Sequence, residues 1–293
     1  MRARLQHVTR YGYATYLLAA AAILLLAAAS GAVVGVFDRH STAAGEAPQA
    51  QAAAGGAAAA APQQEDVPVP ARYVEIVESC GPHYDGACVN VRGGPGTSYP
   101  VVTTLRRGIV LKVGGVAKGD GHTWYRVVFD EWVRYPDRVA KTWYVSGDFV
   151  RPFEDESAGE LSDRAYPESQ KHILIDRTIQ RLFAWDGDTL FMELPISTGL
   201  DLTPTPRGVF HVYKKTPTRY MQGPLPGISD QYYDLPGVPW NLYFTNEGGA
   251  IHGAYWHDKF GQQWSHGCVN LPLDKARALY YWADLGTRVV VQD

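Results

Sequence analysis

The sequence predicts a mainly β protein of about two domains behind an apolar amino-terminal helix that crosses a membrane. Three observations carry this. The chain has 293 residues, room for two domains at the usual ~100–200 residues each. Gly (30), Pro (19) and Tyr (18) are plentiful, which favours turn-rich β structure over helical bundles. An uncharged run extends from Tyr11 to Phe37. The formal net charge of −3 gives no reason to expect nucleic acid as a partner.

The amino-terminal element rests on length and flanking charge. Within the uncharged run, Tyr16 to Phe37 is the apolar core, roughly 33 Å of helix against a hydrocarbon layer of about 30 Å. Arg2, Arg4 and Arg10 precede it, so the positive-inside rule keeps the amino terminus in the cytoplasm and sends the remainder outside. A cleaved signal peptide is the rival, with Ala27–Ala32 as the small-residue site. The apolar run continues to Phe37, longer than such a peptide needs, and favours an uncleaved anchor over 1–40. Residues 41–70 are Ala, Gln, Gly and Pro with few large apolar side chains. They cannot bury a core and read as a flexible tether.

Residues 71–153 read as a small β domain. Apolar-rich runs at 109–113, 124–129 and 142–145 are separated by turn signals at 93–96 and 118–121. The string Val89-Asn90-Val91-Arg92-Gly93-Gly94-Pro95-Gly96 and the later Trp124-Tyr125-Arg126-Val127 and Trp143-Tyr144-Val145-Ser146 resemble bacterial SH3-like domains. That resemblance implies a wall-docking or positioning role, beside the plainer reading of a structural module. The stretch from Trp132 to Lys141 departs from the compact pattern and reads as an inserted hairpin or loop.

Residues 154–170 are largely polar and are expected to be a linker. Residues 171–293 read as a second β-rich domain. Strands are expected at 172–175, 181–185, 189–194, 209–213 and 288–291, with the Asp186-Gly187-Asp188 turn between two of them. One helix is expected over 273–285, where Ala276, Leu279, Tyr280 and Ala283 share a face and Gly286 ends it.

The chain has three cysteines, Cys80, Cys88 and Cys268. Outside the cytoplasm the first two could close a small disulfide loop, which would leave Cys268 as the odd, reactive thiol; the plainer alternative is three reduced and merely buried cysteines. A thiol is a useful nucleophile only as thiolate, so it needs a neighbouring imidazole or oriented backbone amides. His252, His257 and His266 lie within 16 positions of it. Gly267 allows close backbone approach, and the amides of Gly267 and Cys268 would face a developing oxyanion. Zinc ligation by the same cluster fits poorly, because the spacing lacks helical His-Glu-x-x-His and puts two ligands two residues apart. A papain-like protease would need the opposite order of Cys and His.

His252, the twelve residues from Gly253 to Trp264, and then Ser265-His266-Gly267-Cys268-Val269-Asn270 resemble the catalytic signature of the L,D-transpeptidase (YkuD-like) family. Thr203-Pro204-Thr205-Pro206-Arg207-Gly208 looks like that family's turn before a strand. The resemblance implies a β-sandwich with a short helix over 171–293. It implies Cys268 as nucleophile and His252 as base, oriented by the carbonyl of Gly253. Gly267, His266, Ser265 and Asn270 would support the oxyanion and the loop, and Tyr243, Tyr255 and Trp264 are candidate pocket walls. It further implies an enzyme without metal or cofactor that acts on peptidoglycan stem peptides and is acylated by carbapenems. The alternatives are a carboxypeptidase using the same acyl-enzyme, an amine on a wall or outer-membrane protein as acceptor, or a wall-binding protein with a degenerate catalytic domain.

Overall fold

Val89 and Val91 are buried while Asn90 between them is exposed, the period-2 pattern of a half-buried strand. In the computed structural model, which describes residues 72–78, 89–163 and 165–293, that strand belongs to an antiparallel sheet of seven. Its members are β1 (Tyr73–Ile76), β2 (Val89–Arg92), β3 (Val101–Leu105), β4 (Val110–Gly119), β5 (His122–Val127), β6 (Trp143–Ser146) and β7 (Val150–Phe153). They run in the order β3-β2-β6-β5-β4-β1-β7. The three runs expected from sequence correspond to β4, β5 and β6. The long strand β4 bends at a bulge after Val113, which lets it reach both halves of the sheet. The inserted segment between β5 and β6 is a loop with a short 3-10 turn at Pro136–Val139.

The carboxy-terminal domain has two five-stranded sheets. One contains β9 (Lys171–Asp176), β10 (Arg181–Asp186), β11 (Thr189–Pro195), β12 (Gly208–His211) and β17 (Arg288–Gln292), in the order β11-β10-β9-β17-β12. The other contains β8 (Gly159–Glu160), β13 (Lys214–Gln222), β14 (Asp234–Tyr243), β15 (Ala250–Gly253) and β16 (Val269–Leu271), in the order β16-β15-β14-β13-β8. Ile173, Ile175, Leu182 and Ala184 from the first share one core with Leu242, Ile251, Val269 and Leu271 from the second. The helix α1 (Leu273–Trp282) adds Ala276, Leu279 and Tyr280 to it.

Two expectations are corrected here. The helix stops at Trp282, before the residues expected to complete it. Its last carbonyls turn to cations instead: Lys171 Nζ donates to Trp282 O at 2.8 Å and Lys215 Nζ to Ala283 O at 2.6 Å, favourable at the negative end of a helix. The polar stretch 154–170 is stitched into the domain. Strand β8 pairs with β13, and the buried Asp155 accepts the Tyr280 hydroxyl at 2.6 Å.

The two cores interlock. Tyr73 and Val110 of the amino-terminal sheet pack in the carboxy-terminal core, and Val238 and Tyr255 pack in the amino-terminal one. Gly237 has φ +63, and a Cβ there would come within 2.5 Å of the Val110 carbonyl, so only glycine permits that approach. Among the described residues no helix is long and apolar enough to cross a membrane. The expected anchor, the tether, and Cys80 and Cys88 lie outside the described residues.

Candidate active site

The site is built where β15 and β16 run side by side, one of two parallel pairs in the carboxy-terminal domain. Their register places His252 opposite Asn270. Cys268 is the residue immediately before β16, so the chain delivers the thiol to the end of the strand that pairs with the strand carrying His252. Both strands are fully buried. Cys268 itself is 9% exposed, at the point where the loop enters β16.

His252 Nδ1 lies 3.1 Å from the Gly253 carbonyl oxygen. A carbonyl can only accept, so Nδ1 carries the proton and Nε2 of the neutral ring is left as a bare acceptor. Nε2 is buried and has no hydrogen-bond partner in the protein. Burial pushes the imidazole pKa down to about 4, against the upward pull of the Gly253 bond. The ring is therefore neutral at pH 7, with its second nitrogen free to accept a proton. The Trp256 ring covers it at a centroid distance of 5.8 Å.

The loop ahead of the thiol is folded by Ser265, whose hydroxyl donates to the Cys268 carbonyl and accepts the Gly267 N–H at 3.1 Å. This corrects one expectation: the Gly267 amide is engaged by Ser265 rather than aimed at an oxyanion. Gly267 has φ +113, a conformation that favours glycine. The loop is also paired to Ser197–Gly199. Asn270 N–H donates to Ser197 O at 2.8 Å, Ser265 N–H to Thr198 O at 3.1 Å, and Leu200 N–H to Ser265 O at 2.9 Å. Thr198 is fixed in turn by the buried Gln180, which accepts its N–H at 2.8 Å and donates to its hydroxyl at 2.7 Å. The Thr203–Pro206 turn lies against this segment, and a Cβ on Gly199 would come within 2.1 Å of Thr203 O.

His257 is buried and structural. Its Nδ1 accepts the Lys259 N–H at 3.1 Å, so its proton sits on Nε2. The Asn270 carboxamide nitrogen stands 2.8 Å from that Nε2. Two donors cannot bond, so the amide pairs when rotated to present its oxygen, which also accounts for the orphaned Oδ1. His266 is half-buried, its pKa lowered by burial, and its ring stands 5.4 Å from that of Tyr233. Among the candidate pocket walls, Trp264 is 48% exposed. Tyr255 is buried, donates to Pro236 O at 2.7 Å and belongs to the amino-terminal core. Tyr243 lines a cavity of about 140 Å³ between the domains, with Lys112, Glu131 and Lys214. Among the described residues no group of three or more His, Cys, Asp and Glu side chains comes together to hold a metal.

Sequence reasoning missed Arg219 and Tyr233. Arg219 is half-buried on β13, donates to Gly248 O at 2.8 Å and lies over the Tyr243 ring at 5.2 Å. Burial opposes its charge, but Tyr243, Cys268, Glu131 and Tyr233 outweigh burial and raise its pKa. No local motif marks either residue, since each is at least 35 positions from Cys268.

Residues 170–291 match the YkuD family model, the L,D-transpeptidase catalytic domain. This is a YkuD domain. Residues 86–150 match the bacterial SH3 domain, so the YkuD domain follows an SH3 domain. A Bacillus subtilis (strain 168) protein, YciB, named as a candidate L,D-transpeptidase, is 27% identical over 52% of this chain and 78% of its own. Among solved structures, an Enterococcus faecium L,D-transpeptidase mutant is 26% identical over 42% of this chain, with a TM-score of 0.39. The match spans 50% of that Enterococcus chain. The catalytic domain from the E. faecium L,D-transpeptidase acylated by ertapenem is 27% identical over 43% of this chain and 99% of that one, with a TM-score of 0.38.

Proposed function

We propose that this protein is a peptidoglycan L,D-transpeptidase, held outside the cytoplasm by its amino-terminal apolar segment, with Cys268 as nucleophile and His252 as base. The observation that carries the reading is the bare, buried Nε2 of His252 on β15, the strand paired with β16, which Cys268 directly precedes. A neutral imidazole with its other nitrogen fixed is the acceptor a thiol proton needs. The thiolate would attack the carbonyl of a tetrapeptide stem, form a thioester and release the terminal D-alanine with the proton carried by His252. The neutral ring would then take a proton from the incoming amine as the new amide bond forms and the thiolate leaves. With the Gly267 amide engaged, the Cys268 N–H is the backbone donor assigned to the oxyanion. Water in place of the amine would give a carboxypeptidase on the same thioester.

The test is mass spectrometry of the folded protein after exposure to a carbapenem, with product analysis on a tetrapeptide donor. The reading expects one adduct on Cys268, none in Cys268→Ala, and cross-linked dimers among the products. An unmodified Cys268 in folded protein refutes the nucleophile. D-alanine release without dimers refutes transpeptidation and leaves hydrolysis.

A further inference from the structure

Between β5 and β6 the amino-terminal domain sends residues 131–139 onto the loop end of the β13–β14 hairpin. Tyr220 N–H donates to Glu131 Oε1 at 2.8 Å. Tyr135 N–H donates to Gln222 Oε1 at 2.8 Å, and Gln222 Nε2 returns a bond to Tyr135 O at 3.2 Å. The Tyr135 hydroxyl donates to Pro224 O at 2.8 Å.

Arg138 is the centre of this junction. Its Nη2 donates to Gly223 O at 2.9 Å, and its Nη1 to Tyr233 O at 3.2 Å and Asp234 Oδ1 at 3.3 Å. The guanidinium also lies over the rings of Tyr135 and Tyr232, at 4.2 and 4.4 Å. Gly223 and Tyr233 are themselves paired across the hairpin, with Gly223 N–H donating to Tyr233 O at 2.8 Å. One planar, multiply donating side chain from the SH3 domain therefore holds both strands of a catalytic-domain hairpin, a task for which lysine lacks the geometry.

What the hairpin carries there is the Tyr233 ring. It packs on Gly223, where a Cβ would come within 2.3 Å of it, and faces His266, two residues before Cys268. Tyr233 is half-buried, its pKa raised by burial and by Cys268, in accord with a place beside the nucleophile.

We infer that Arg138 is a positioning residue of the active site. By fixing the hairpin end it holds the Tyr233 ring against His266 and shapes the donor-binding side of the thiol. The SH3 domain is then a working part of the catalytic centre rather than a detachable wall-binding module. The inference rests on the reading of Cys268 as nucleophile given above.

The experiment uses the full chain with Arg138→Ala, Tyr233→Ala and the pair together. Arg138→Ala is expected to speed amide exchange in residues 222–234 by about tenfold or more. It should raise the KM for a tetrapeptide donor by about tenfold while kcat stays within about threefold, and Tyr233→Ala should do the same. The double variant should add nothing further, since both act through one ring. Unchanged exchange at 222–234, or a full Arg138 effect on top of Tyr233→Ala, overturns the inference. Tyr135→Phe, which removes only the Pro224 bond, should move exchange in the same direction by less, and supplies the answer if Arg138→Ala does not fold. Absence of donor turnover in the unaltered protein refutes the proposed function alone. Exchange and the alkylation rate of Cys268 by iodoacetamide then decide the clamp, and no change in both overturns it.

Discussion

The Tyr280 hydroxyl donates to Asp155 Oδ2 across 2.6 Å, joining helix α1 to a residue 125 positions earlier. The other carboxylate oxygen of Asp155 accepts the Ser157 N–H at 3.0 Å and the Ser157 hydroxyl at 2.7 Å. The carboxylate is buried and depends on these bonds. Tyr280→Phe should lower stability by about 1–3 kcal/mol, the usual cost of a bond to a buried charged group. Urea unfolding checks this, and a loss below about 0.5 kcal/mol would mean water replaces the hydroxyl.

Stability should fall with acid through His252. Its folded pKa, about 4, is below the ordinary 6.5, so the unfolded chain binds the proton first. The contribution of this buried neutral ring is complete above pH 6.5 and is lost as pH falls from 6.5 towards 4. Over that window the loss amounts to roughly 3 kcal/mol. Unfolding free energies measured across it should slope less in His252→Asn than in the unaltered protein. Equal slopes would sink the assignment.

Two glycines with positive φ should answer differently to alanine. Gly108 has φ +86, and a Cβ there would come within 2.3 Å of Leu273 Cδ1 at the start of α1. Gly121 has φ +80 and nothing within 4 Å of such a Cβ. Gly121→Ala should cost only the backbone strain, about 1 kcal/mol, and Gly108→Ala about 1–3 kcal/mol more for overpacking. Thermal unfolding of the two variants measures the difference, and equal losses would contradict it.

Ser265→Ala removes the hydroxyl that both accepts the Gly267 N–H and donates to the Cys268 carbonyl. Misplacing a nucleophile by a fraction of an ångström is costly, so acylation of Cys268 should slow about tenfold or more. Stopped-flow acylation by a carbapenem reads this directly. An unchanged rate would show that the pairing to Ser197–Gly199 alone fixes the loop.

The alternating strands of the catalytic domain were legible because burial repeats every second residue, as in Ile173 and Ile175 of β9 or Leu182 and Ala184 of β10. Strands β13 and β14 were not legible. They carry Pro217, Pro236 and Pro239, which argue against a central strand. The sheet accommodates them: the pairing keeps its register from Thr216 to Thr218 while skipping Pro217, and the register shifts between Arg219 and Met221. Strands β15 and β16 are buried at every position and so lack a period to read. The thiol and the histidine could be found because they share one short segment of sequence. Arg219 and Tyr233 come near Cys268 and His266 only through the fold, from elements whose local sequence says nothing of chemistry.

The exchange of side chains between the two cores has a consequence for descent. Tyr73 and Val110 complete one domain, and Val238 and Tyr255 the other, so neither half is a self-sufficient cassette. An SH3 domain transplanted from another protein would bring its own fold but not the seam. It would leave apolar surface bare on both sides, and that surface promotes association and misfolding. In this lineage the two domains are therefore expected to travel and drift together, with substitutions on one face of the seam answered on the other.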